Sequence, residues 1–330
     1  MTQRPRARLY HGTPRTLAYL AGQLRAGELV AVPTETVYGL AANALDPAAC
    51  RKIFTAKGRP VSDPLIVHIH SLEQLTEIGK PNKAALDLAR AFWPGPLTLV
   101  LPKKNNVPDI VTAGRPSVAV RMPSHPLLRR LLKKAGIPLA APSANLFGYV
   151  SPTTAAHVQD GLGKKISHIL DGGPARIGLE STIVDVRSAQ RIRLLRPGAV
   201  TKAQLERVLG QPVNAITPRV AAPKATTGQL APGSLARHYS PRTPVSLHGT
   251  LPAGRKTAEA YVFLRKPGIA RAMNVFWLDA RGDLRGVARR LFATLRRLDA
   301  MGFSRIHIER PTGEGLADAI NDRLRRAAAR

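Results

Sequence analysis

The sequence predicts an α/β or α+β fold that is divided into two domains. Its 330 residues are 44% apolar, so the chain can bury a sizeable core, and its length suggests two domains. Short apolar runs alternate with helical patterns up to residue 210, which indicates a domain built on a mixed sheet. Residues 211–244 lack apolar periodicity and are rich in Pro, Thr and Ala. We therefore predict domains at 1–210 and 245–330, joined by a linker at 211–244.

The elements of the first domain follow from its apolar runs and its helical periodicity. Short apolar runs predict strands at 29–32, 64–69, 97–101, 117–121, 138–141, 182–186 and 192–195. Helical patterns lie between these runs, near 14–26, 47–56, 82–92, 124–135 and 153–160. The order of strands and helices is typical of a mixed sheet packed against helices.

The second domain is predicted from three short apolar runs and two amphipathic patterns. YVFL at 261–264, NVFWLD at 274–279 and RIHIE at 305–309 are typical of short buried strands. Apolar residues recur at spacings of three and four from Leu284 to Leu298, which indicates an amphipathic helix. A final helix at 314–328 keeps its arginines on one side. These elements predict a compact domain of the βαβα type.

The charge of the chain favours a polyanionic partner. Lys and Arg number 50 against 21 Asp and Glu, which gives a formal net charge of +29. Such an excess suits nucleotides, RNA or an anionic membrane surface and does not choose among them. Because the basic residues are spread along the whole sequence, a solvated arginine-rich surface explains the charge equally well.

Cysteine content and hydropathy limit the compartment. The single cysteine, Cys50, excludes a disulfide framework and a cysteine-rich zinc site, and it suggests a reducing compartment. No stretch reaches the roughly 18 uninterrupted apolar residues that a membrane helix requires. We predict a soluble cytoplasmic protein without a membrane partner.

Polar side chains occur in four segments where a sheet core would not place them. The segments are PTET (33–36), AKGRPVSDPLIVHIH (56–70), PSAN (142–145) with SPTT (151–154), and LEST (179–182). Buried hydroxyls and charges cost free energy unless a partner satisfies them. Since loops at strand ends carry the ligand sites of α/β folds, we predict that these segments converge on one polar pocket.

Two of these segments contain residue types that suit a phosphate chain. Lys57 and Arg59 flank Gly58 on a predicted loop, where Arg59 can form a bidentate fork and Lys57 can act as a point charge. Two solvated loop cations are the alternative. Ser143 and Asn145 follow a predicted strand and could donate to a phosphate or a nucleobase. They could equally form a turn or cap the next helix.

Other common catalytic devices are missing from the sequence. His68 and His70 alternate along a predicted strand, but no third residue at a suitable spacing completes a zinc site. The chain has neither a G-x-x-x-x-G-K-[ST] loop nor a G-x-G-x-x-G motif after its first strand. No Ser-His-Asp or Cys-His arrangement is readable, so we do not expect covalent catalysis.

The identity and order of the polar segments resemble the YrdC/Sua5 family of threonylcarbamoyl-AMP synthases. The matching segments are PTETVYGL (33–40), KGRP (57–60) with PLIVHI (64–69), FWPGPLTLVL (92–101), VAVRMPSHP (118–126), PLAAPSANLFGYVSPTTAAHV (138–158), GLESTIVDV (178–186) and LLRPGAV (194–200). APGSLARHYSP (231–241) resembles the segment by which the Sua5-type members join a C-terminal Rossmann-like domain. The resemblance covers roughly residues 10–330.

The resemblance implies a fold and an activity. The fold would be a twisted mixed sheet with a basic concave groove, followed by a smaller Rossmann-like α/β domain. The activity would be that of a nucleotidyltransferase, which converts L-threonine, bicarbonate or CO2, and ATP into L-threonylcarbamoyladenylate and pyrophosphate. Partner proteins would use this adenylate to form N6-threonylcarbamoyladenosine (t6A) at position 37 of tRNA. A direct contact of the chain with tRNA is left open.

The resemblance also implies roles for particular residues. The ATP-binding set would be Lys57, Arg59, Asp63, Ser117, Ser143, Asn145, Ser151, Arg196 and Tyr239, with Lys57 and Arg59 as the catalytic cations. The L-threonine-binding set would be Thr34, Thr36, His68, Arg121 and Ser181. Mg²⁺ would arrive with ATP rather than in a protein metal site, and Asp63, where members often have asparagine, could act through that ion. The linker would close over the groove as a lid, or else serve as a flexible tether.

Two other functions are compatible with parts of this pattern. A carbamoyl-adenylate-forming role resembles a domain of the hydrogenase-maturation carbamoyltransferases, but the chain lacks the acylphosphatase-like and zinc-finger modules of those proteins. An RNA-binding module without catalysis would need aromatic side chains near the basic segments. Aromatic residues make up only 5% of the chain, and few lie near KGRP or PSAN.

Overall fold

The computed structural model describes residues 6–215, 229, 238–268 and 272–329. Within these residues the first domain contains the strands β1 Arg8–His11, β2 Val30–Val32, β3 Gly39–Asn43, β4 Ile66–His68, β5 Leu97–Pro102, β6 Ser117–Arg121, β7 Leu139–Ala140, β8 His168–Asp171, β9 Thr182–Asp185, β10 Arg193–Arg196 and β11 Asn214–Ala215. Its helices are α1 Pro14–Arg25, α2 Pro47–Lys57, α3 Leu72–Ile78, α4 Lys83–Phe92, α5 Asp109–Thr112, α6 Pro126–Ala135, α7 Ala155–Leu162 and α8 Lys202–Leu209.

The strands of the first domain form one mixed sheet, as the sequence predicts. Their order is β1-β8-β2-β3-β7-β4-β6-β5-β9-β10-β11, with both parallel and antiparallel neighbours. The parallel pair β4 and β6 lies near the middle of the sheet, and its register places His68 opposite Arg121. Two residues that are far apart in the sequence therefore sit side by side.

The connection between β2 and β3 explains the position of the PTET segment. β2 and β3 pair antiparallel, with Val32 opposite Gly39, so residues 33–38 form the turn between two strands. Polar residues in this segment do not interrupt a strand. They leave the sheet at the end of β2 and re-enter it at Gly39, which also bridges to Ser143.

Helix α2 ends so that the KGRP segment enters the sheet directly. Asp46 caps the helix through its side chain and Pro47 occupies the first turn, a combination that favours helix initiation. Gly58 ends the helix in the left-handed region with φ 63°, a conformation that costs glycine little. Lys57 therefore belongs to the last turn of the helix, whereas Arg59 lies beyond it.

The second domain has a four-stranded parallel sheet. It contains β12 Val245–His248, β13 Glu259–Arg265, β14 Val275–Asp279 and β15 Arg305–Glu309, in the order β12-β15-β13-β14, and the helices α9 Leu284–Ala300 and α10 Leu316–Ala328. The predicted strands and helices are present, and β12 precedes them as a strand that the sequence pattern did not reveal. The prediction of a lid falls mainly on residues 216–228 and 230–237, which lie outside the described residues.

The two domains share a hydrophobic core. Leu291 and Ile320 of the second domain belong to one buried cluster with Val37, Val150 and Leu179 of the first domain. The two domains are thus packed together through loop residues of the first domain and helix residues of the second. Among the described residues, no helix has both the length and the apolar composition needed to cross a bilayer.

Candidate active site

An open cavity lies where the predicted polar segments meet. Its described wall consists of Thr34, Thr36, Val37, Gly39, Arg59, Ile66, His68, Arg121, Ala141, Pro142, Ser143, Glu180, Ser181, Arg196, His238 and Tyr239. The wall combines the β2–β3 connection, the strands β4 and β6, the loops next to β7 and β9, the end of β10, and the end of the linker. The predicted convergence of the polar segments is therefore present in the fold.

The predicted site residues divide into two groups by their position. Those on the cavity wall are Thr34, Thr36, Arg59, His68, Arg121, Ser143, Ser181, Arg196 and Tyr239. Those that are not on the wall are Lys57, Asp63, Ser117, Asn145 and Ser151, all of which are buried. The second group lies close enough to support the first, as the contacts below show for four of its members.

Arg121 is the central cation at one end of the cavity. Its guanidinium forms an ion pair with Glu35 at 2.7 Å and donates to the Thr36 hydroxyl at 2.9 Å and to the Gly95 carbonyl at 3.2 Å. Burial alone would raise the pKa of Glu35, but the charge of Arg121, its hydrogen bond and two backbone hydrogen bonds together outweigh burial and hold that pKa below its ordinary value. Glu35 was not predicted as a site residue, although it is a carboxylate inside an otherwise buried run.

The two threonines of the PTET segment have different environments. The Thr34 hydroxyl accepts hydrogen bonds from the amides of Thr36 and Val37 and donates to the Val37 carbonyl, a pattern that shapes a tight turn. Its hydroxyl also lies 2.7 Å from that of Thr36. The Thr36 hydroxyl contacts Arg121 as well, so Thr36 joins the turn to the charged centre of the site.

His68 presents a neutral imidazole to the cavity. It is 3% exposed, and its Nδ1 has no hydrogen-bond partner among the described residues. Burial, together with the nearby positive charge of Arg121, lowers the pKa of His68 to about 3. A neutral ring can form a hydrogen bond with a ligand without adding charge. His70, by contrast, contacts Gln74 and is not on the wall.

Arg59 is the cation of the KGRP segment that reaches the cavity. Its Nε donates to the Asp63 carbonyl at 3.0 Å, one terminal nitrogen donates to the Pro64 carbonyl at 2.6 Å, and the Asp63 carboxylate pairs with it at 3.0 Å. These contacts fix the guanidinium in one orientation at the end of β4. Burial raises the pKa of Asp63 despite the charge of Arg59.

Lys57 does not line the cavity, but it holds the PSAN segment through hydrogen bonds. Its ammonium donates to the carbonyls of Ser143 and Asn145, both at 2.5 Å. The side-chain amide of Asn145 donates to the carbonyls of Leu146 and Tyr149, while its Oδ1 has no hydrogen-bond partner among the described residues. The loop that carries Ser143 is therefore held in place by Lys57, and burial keeps the pKa of Lys57 well below its ordinary value.

Arg196 and Ser181 form a linked pair on the cavity wall. Arg196 donates to the Ser181 carbonyl at 3.0 Å and to the Ser181 hydroxyl at 3.2 Å. That hydroxyl also lies 2.7 Å from the Thr98 hydroxyl. The Ser151 hydroxyl donates to Glu180, which is itself on the wall. Ser117 is buried at the start of β6, and its hydroxyl has no hydrogen-bond partner among the described residues.

The end of the linker contributes His238 and Tyr239 to the wall. Tyr239 is 1% exposed, has a left-handed backbone with φ 62°, and packs 5.4 Å from the Phe292 ring. His238 was not predicted as a site residue. Its ring lies 4.1 Å from that of Tyr239, and burial among several cations, including Arg59 and Arg196, keeps its pKa well below the ordinary value. Its position next to Tyr239 is the one sequence signal that could have indicated it.

Two histidines with lowered pKa values, the buried His68 and the half-buried His157, are expected to make stability depend on pH. The pKa of His68 is about 3 and that of His157 about 4, both lowered mainly by burial from 6.5. The unfolded chain therefore binds these protons more readily, so stability is complete above about pH 6.5 and falls as the pH drops toward the lowered values. At about pH 5 we expect a loss of about 2 kcal/mol in the free energy of unfolding from His68, and a smaller loss from His157, which solvent partly screens.

Urea denaturation at neutral and at acidic pH measures this effect. An H157Q variant should show a smaller pH dependence than the wild-type protein, because the variant lacks one of the histidines whose pKa is lowered by folding. An unchanged pH dependence in H157Q would contradict the assignment of His157.

Comparisons with known proteins agree over both domains. A family model described as "Telomere recombination" matches residues 22–198, and a model described as "Threonylcarbamoyl-AMP synthase, C-terminal domain" matches residues 200–329. The threonylcarbamoyl-AMP synthase of Pyrococcus abyssi is 44% identical over 322 residues, which cover 93% of this chain and 92% of that protein. The chain belongs to the YrdC/Sua5 family.

Other members of the YrdC/Sua5 family are similar over the same length. The threonylcarbamoyl-AMP synthase of Bacillus subtilis is 40% identical over 329 residues, which cover 94% of this chain and 92% of that protein. The solved structure of Pyrococcus abyssi Sua5 complexed with L-threonine superposes with a TM-score of 0.88 at 40% identity, covering 98% of each chain. The two-domain architecture of this YrdC/Sua5 protein is therefore that of the Sua5-type members.

Proposed function

We propose that the protein is a threonylcarbamoyl-AMP synthase, a nucleotidyltransferase that joins L-threonine, CO2 or bicarbonate, and ATP into L-threonylcarbamoyladenylate and pyrophosphate. The observation that carries this function is a single cavity whose wall holds both Arg121 with its hydroxyl neighbours and the cations Arg59 and Arg196. Relatives that are named for this activity match over more than nine-tenths of the chain, and the Sua5 of Pyrococcus abyssi binds L-threonine.

The Arg121 end of the cavity suits an amino acid with a hydroxyl group. A guanidinium can pair with the α-carboxylate through two parallel hydrogen bonds, and Arg121 is held for this by Glu35 and Gly95. The Thr36 and Ser181 hydroxyls and the neutral His68 ring provide polar partners for the substrate hydroxyl. A ligand without that hydroxyl would leave buried polar groups unpaired, which favours threonine over valine.

The Arg59 end of the cavity suits the triphosphate of ATP. Arg59 and Arg196 are fixed cations on the wall, and Ser143 adds a hydroxyl on a loop that Lys57 holds in place. Preorganised cations in a site of low dielectric constant stabilise developing phosphate charge without reorganising during the reaction. Lys57 therefore contributes through the position of the loop.

The reaction needs positioning more than a side-chain nucleophile. The threonine amine adds to CO2 and releases a proton to solvent, which gives a carbamate. A carbamate oxygen then forms a bond to the α-phosphorus, the bond from that phosphorus to the β-phosphate oxygen breaks, and pyrophosphate leaves with the bonding electrons. Holding both substrates in one cavity makes the attack intramolecular in effect, and Arg59 and Arg196 compensate the charge on the leaving group.

The residues present fit Mg²⁺ that is carried by the nucleotide. Mg²⁺ usually binds through one or two carboxylates together with substrate phosphates and water. Asp63 Oδ1 is buried without a hydrogen-bond partner among the described residues, while Oδ2 pairs with Arg59. In the described part of the chain, no group of three His, Cys, Asp or Glu converges as a metal cage. Asp63 would hold the ion, which when bound would neutralise phosphate charge.

A pyrophosphate-release assay with purified protein tests the function and its specificity. With ATP, Mg²⁺ and bicarbonate, we expect release that requires bicarbonate and L-threonine. The rate with L-valine should be lower by about a hundredfold or more, because the buried hydroxyl partners would then be unsatisfied. Equal rates with threonine and valine would contradict the assigned specificity, and release without bicarbonate would contradict the reaction.

The product implies further partners. An acyl adenylate is labile, so a second protein must accept the threonylcarbamoyl group, and we expect the partners to be those that form t6A at position 37 of tRNA. The net charge of +29 supports a contact with tRNA during this transfer. ATP, tRNA and a single reduced cysteine, Cys50, all suit the cytoplasm.

A further inference from the structure

We propose that Arg323, a residue of the second domain, is a positioning residue for ATP: it neutralises Glu180 on the cavity wall and clamps the two segments that carry Ser181 and Arg196. The inference rests on the function proposed above, because ATP is a substrate of this cavity only under that function. It makes the second domain a part of the active site, although none of the residues assigned from the family resemblance comes from the folded part of that domain.

Arg323 reaches across the domain boundary from helix α10 and is completely buried. Its side chain is 0% exposed. Its Nε donates to the Glu180 carboxylate at 2.8 Å, one terminal nitrogen donates to the Glu180 carbonyl at 3.2 Å, and the other donates to the Pro197 carbonyl at 2.9 Å. Asp322 accepts a further hydrogen bond from it at 2.8 Å. Every nitrogen of the guanidinium is therefore engaged.

The segments held by Arg323 are those that shape one side of the cavity. Glu180 directly precedes Ser181, and Pro197 directly follows Arg196. Arg196 is in turn bonded to the carbonyl and the hydroxyl of Ser181. Arg323 thus ties together, from behind, the two backbone segments whose side chains stand on the wall.

Glu180 places a negative charge on the cavity wall, and Arg323 compensates that charge. Glu180 lies on the wall of a cavity that we assign to a triphosphate, and a carboxylate there would repel the nucleotide. One of its oxygens accepts from the Ser151 hydroxyl, and the other pairs with Arg323. With the pair formed, the positive charges of Arg59 and Arg196 dominate the wall.

A contribution to stability alone does not explain this pair well. Replacing a buried ion pair with apolar side chains of similar volume is often neutral or stabilising, so a buried pair is weak evidence for a purely structural role. The location of the Arg323–Glu180 pair at the cavity wall, and the Arg323 guanidinium 5.5 Å from the centre of the Tyr239 ring, point to a role in the site. A lysine could not bridge three acceptors in this planar arrangement.

Steady-state kinetics of R323M, R323K, E180Q and the double variant R323M/E180Q test the inference. R323M should raise the KM for ATP about tenfold or more, and by a larger factor than the KM for L-threonine, because the uncompensated Glu180 carboxylate repels the triphosphate. E180Q added to R323M removes the uncompensated carboxylate, so the double variant should recover most of the lost ATP affinity. R323K keeps the positive charge but loses the planar guanidinium, so its KM for ATP should lie between those of R323M and the wild-type protein.

The D299N variant is a matched control at the same domain interface. Asp299 accepts hydrogen bonds from the Tyr149 hydroxyl and from the Thr243 amide, both at 2.7 Å, and contacts no residue assigned to the site. D299N should lower the thermal unfolding temperature without changing the KM for ATP. A general effect of a weakened interface would instead appear in D299N and R323M alike, and would overturn the inference.

Two further outcomes decide the matter. Equal changes in the two KM values in R323M, or no recovery in R323M/E180Q, would show that Arg323 acts only on the fold. Should R323M not fold, R323K and R323M/E180Q still test the same coupling. Calorimetric binding of a nonhydrolysable ATP analogue to each variant separates this inference from the proposed function: a wild-type protein that binds the analogue but releases no pyrophosphate contradicts the function alone.

Discussion

An R121M variant is expected to lose L-threonine binding and to unfold with a free energy about 3–5 kcal/mol lower than that of the wild-type protein. Arg121 is the partner of Glu35, whose side chain is 1% exposed, so its removal leaves a buried carboxylate without compensation. The same guanidinium is the group that we assign to the substrate carboxylate. Isothermal titration with L-threonine and urea denaturation measure the two effects separately.

The double variant R121M/E35Q distinguishes the two roles of Arg121. Glutamine removes the uncompensated charge, so the double variant should recover most of the stability that R121M loses. It should not recover threonine binding, because no cation remains at that end of the cavity. Threonine binding of wild-type strength in either variant would refute the assignment of Arg121 to the substrate carboxylate.

For the phosphate end, we expect an R59M variant to lower kcat/KM for ATP by about 10²–10³-fold, the usual effect of removing one preorganised charged donor. Arg59 is fixed by Asp63 and by the Pro64 carbonyl, and it is the cation of the KGRP segment that lies on the cavity wall. Pyrophosphate release at varied ATP concentrations measures the change.

The R59M/D63N variant controls for the loss of folding in R59M. Asp63 would otherwise remain as an unpaired buried carboxylate, because its side chain is 0% exposed. The double variant should be more stable than R59M and at least as impaired toward ATP. If R59M/D63N used ATP as well as the wild-type protein does, the triphosphate could not lie against Arg59.

Sequence reasoning located the segments of the site but not the direction of each side chain. The KGRP segment predicts phosphate binding by both cations, with Arg59 as a bidentate fork and Lys57 as a point charge. In the fold, the helix ends between them at Gly58 with φ 63°, so Lys57 turns toward the PSAN carbonyls and Arg59 toward the cavity. That difference depends on the end of one helix and on a loop 86 residues away.

The buried partners of the site residues could not be predicted for a related reason. Glu35 and Glu180 are acidic residues in segments that were already singled out, but their partners, Arg121 and Arg323, are remote in sequence. The Glu180–Arg323 contact spans 143 residues and joins two domains. No pattern in the sequence pairs two residues that lie so far apart along the chain. Only the structure therefore shows the two ion pairs, Glu35–Arg121 and Glu180–Arg323, that compensate the acidic residues of the cavity.

Secondary structure is predictable where apolar runs are long and contain β-branched residues. The strands around 64–69, 97–101 and 117–121 are present close to their predicted bounds. β3 was missed because its sequence, GLAAN, consists mostly of residues that are uncommon in strands. It is a strand because it lies between β2 and β7 in the sheet, where backbone hydrogen bonds to both neighbours override weak local preference.

The shared core of Val37, Val150 and Leu179 with Leu291 and Ile320 restricts how substrates reach the cavity. Domains usually move relative to each other unless their contact is large and apolar. Here a hinge motion would expose both halves of one core to water, at about 25 cal/mol for each Å² of apolar surface. Catalysis that needs both domains to stay closed is therefore favoured, because the hydrophobic cost of opening this core opposes any motion that parts them.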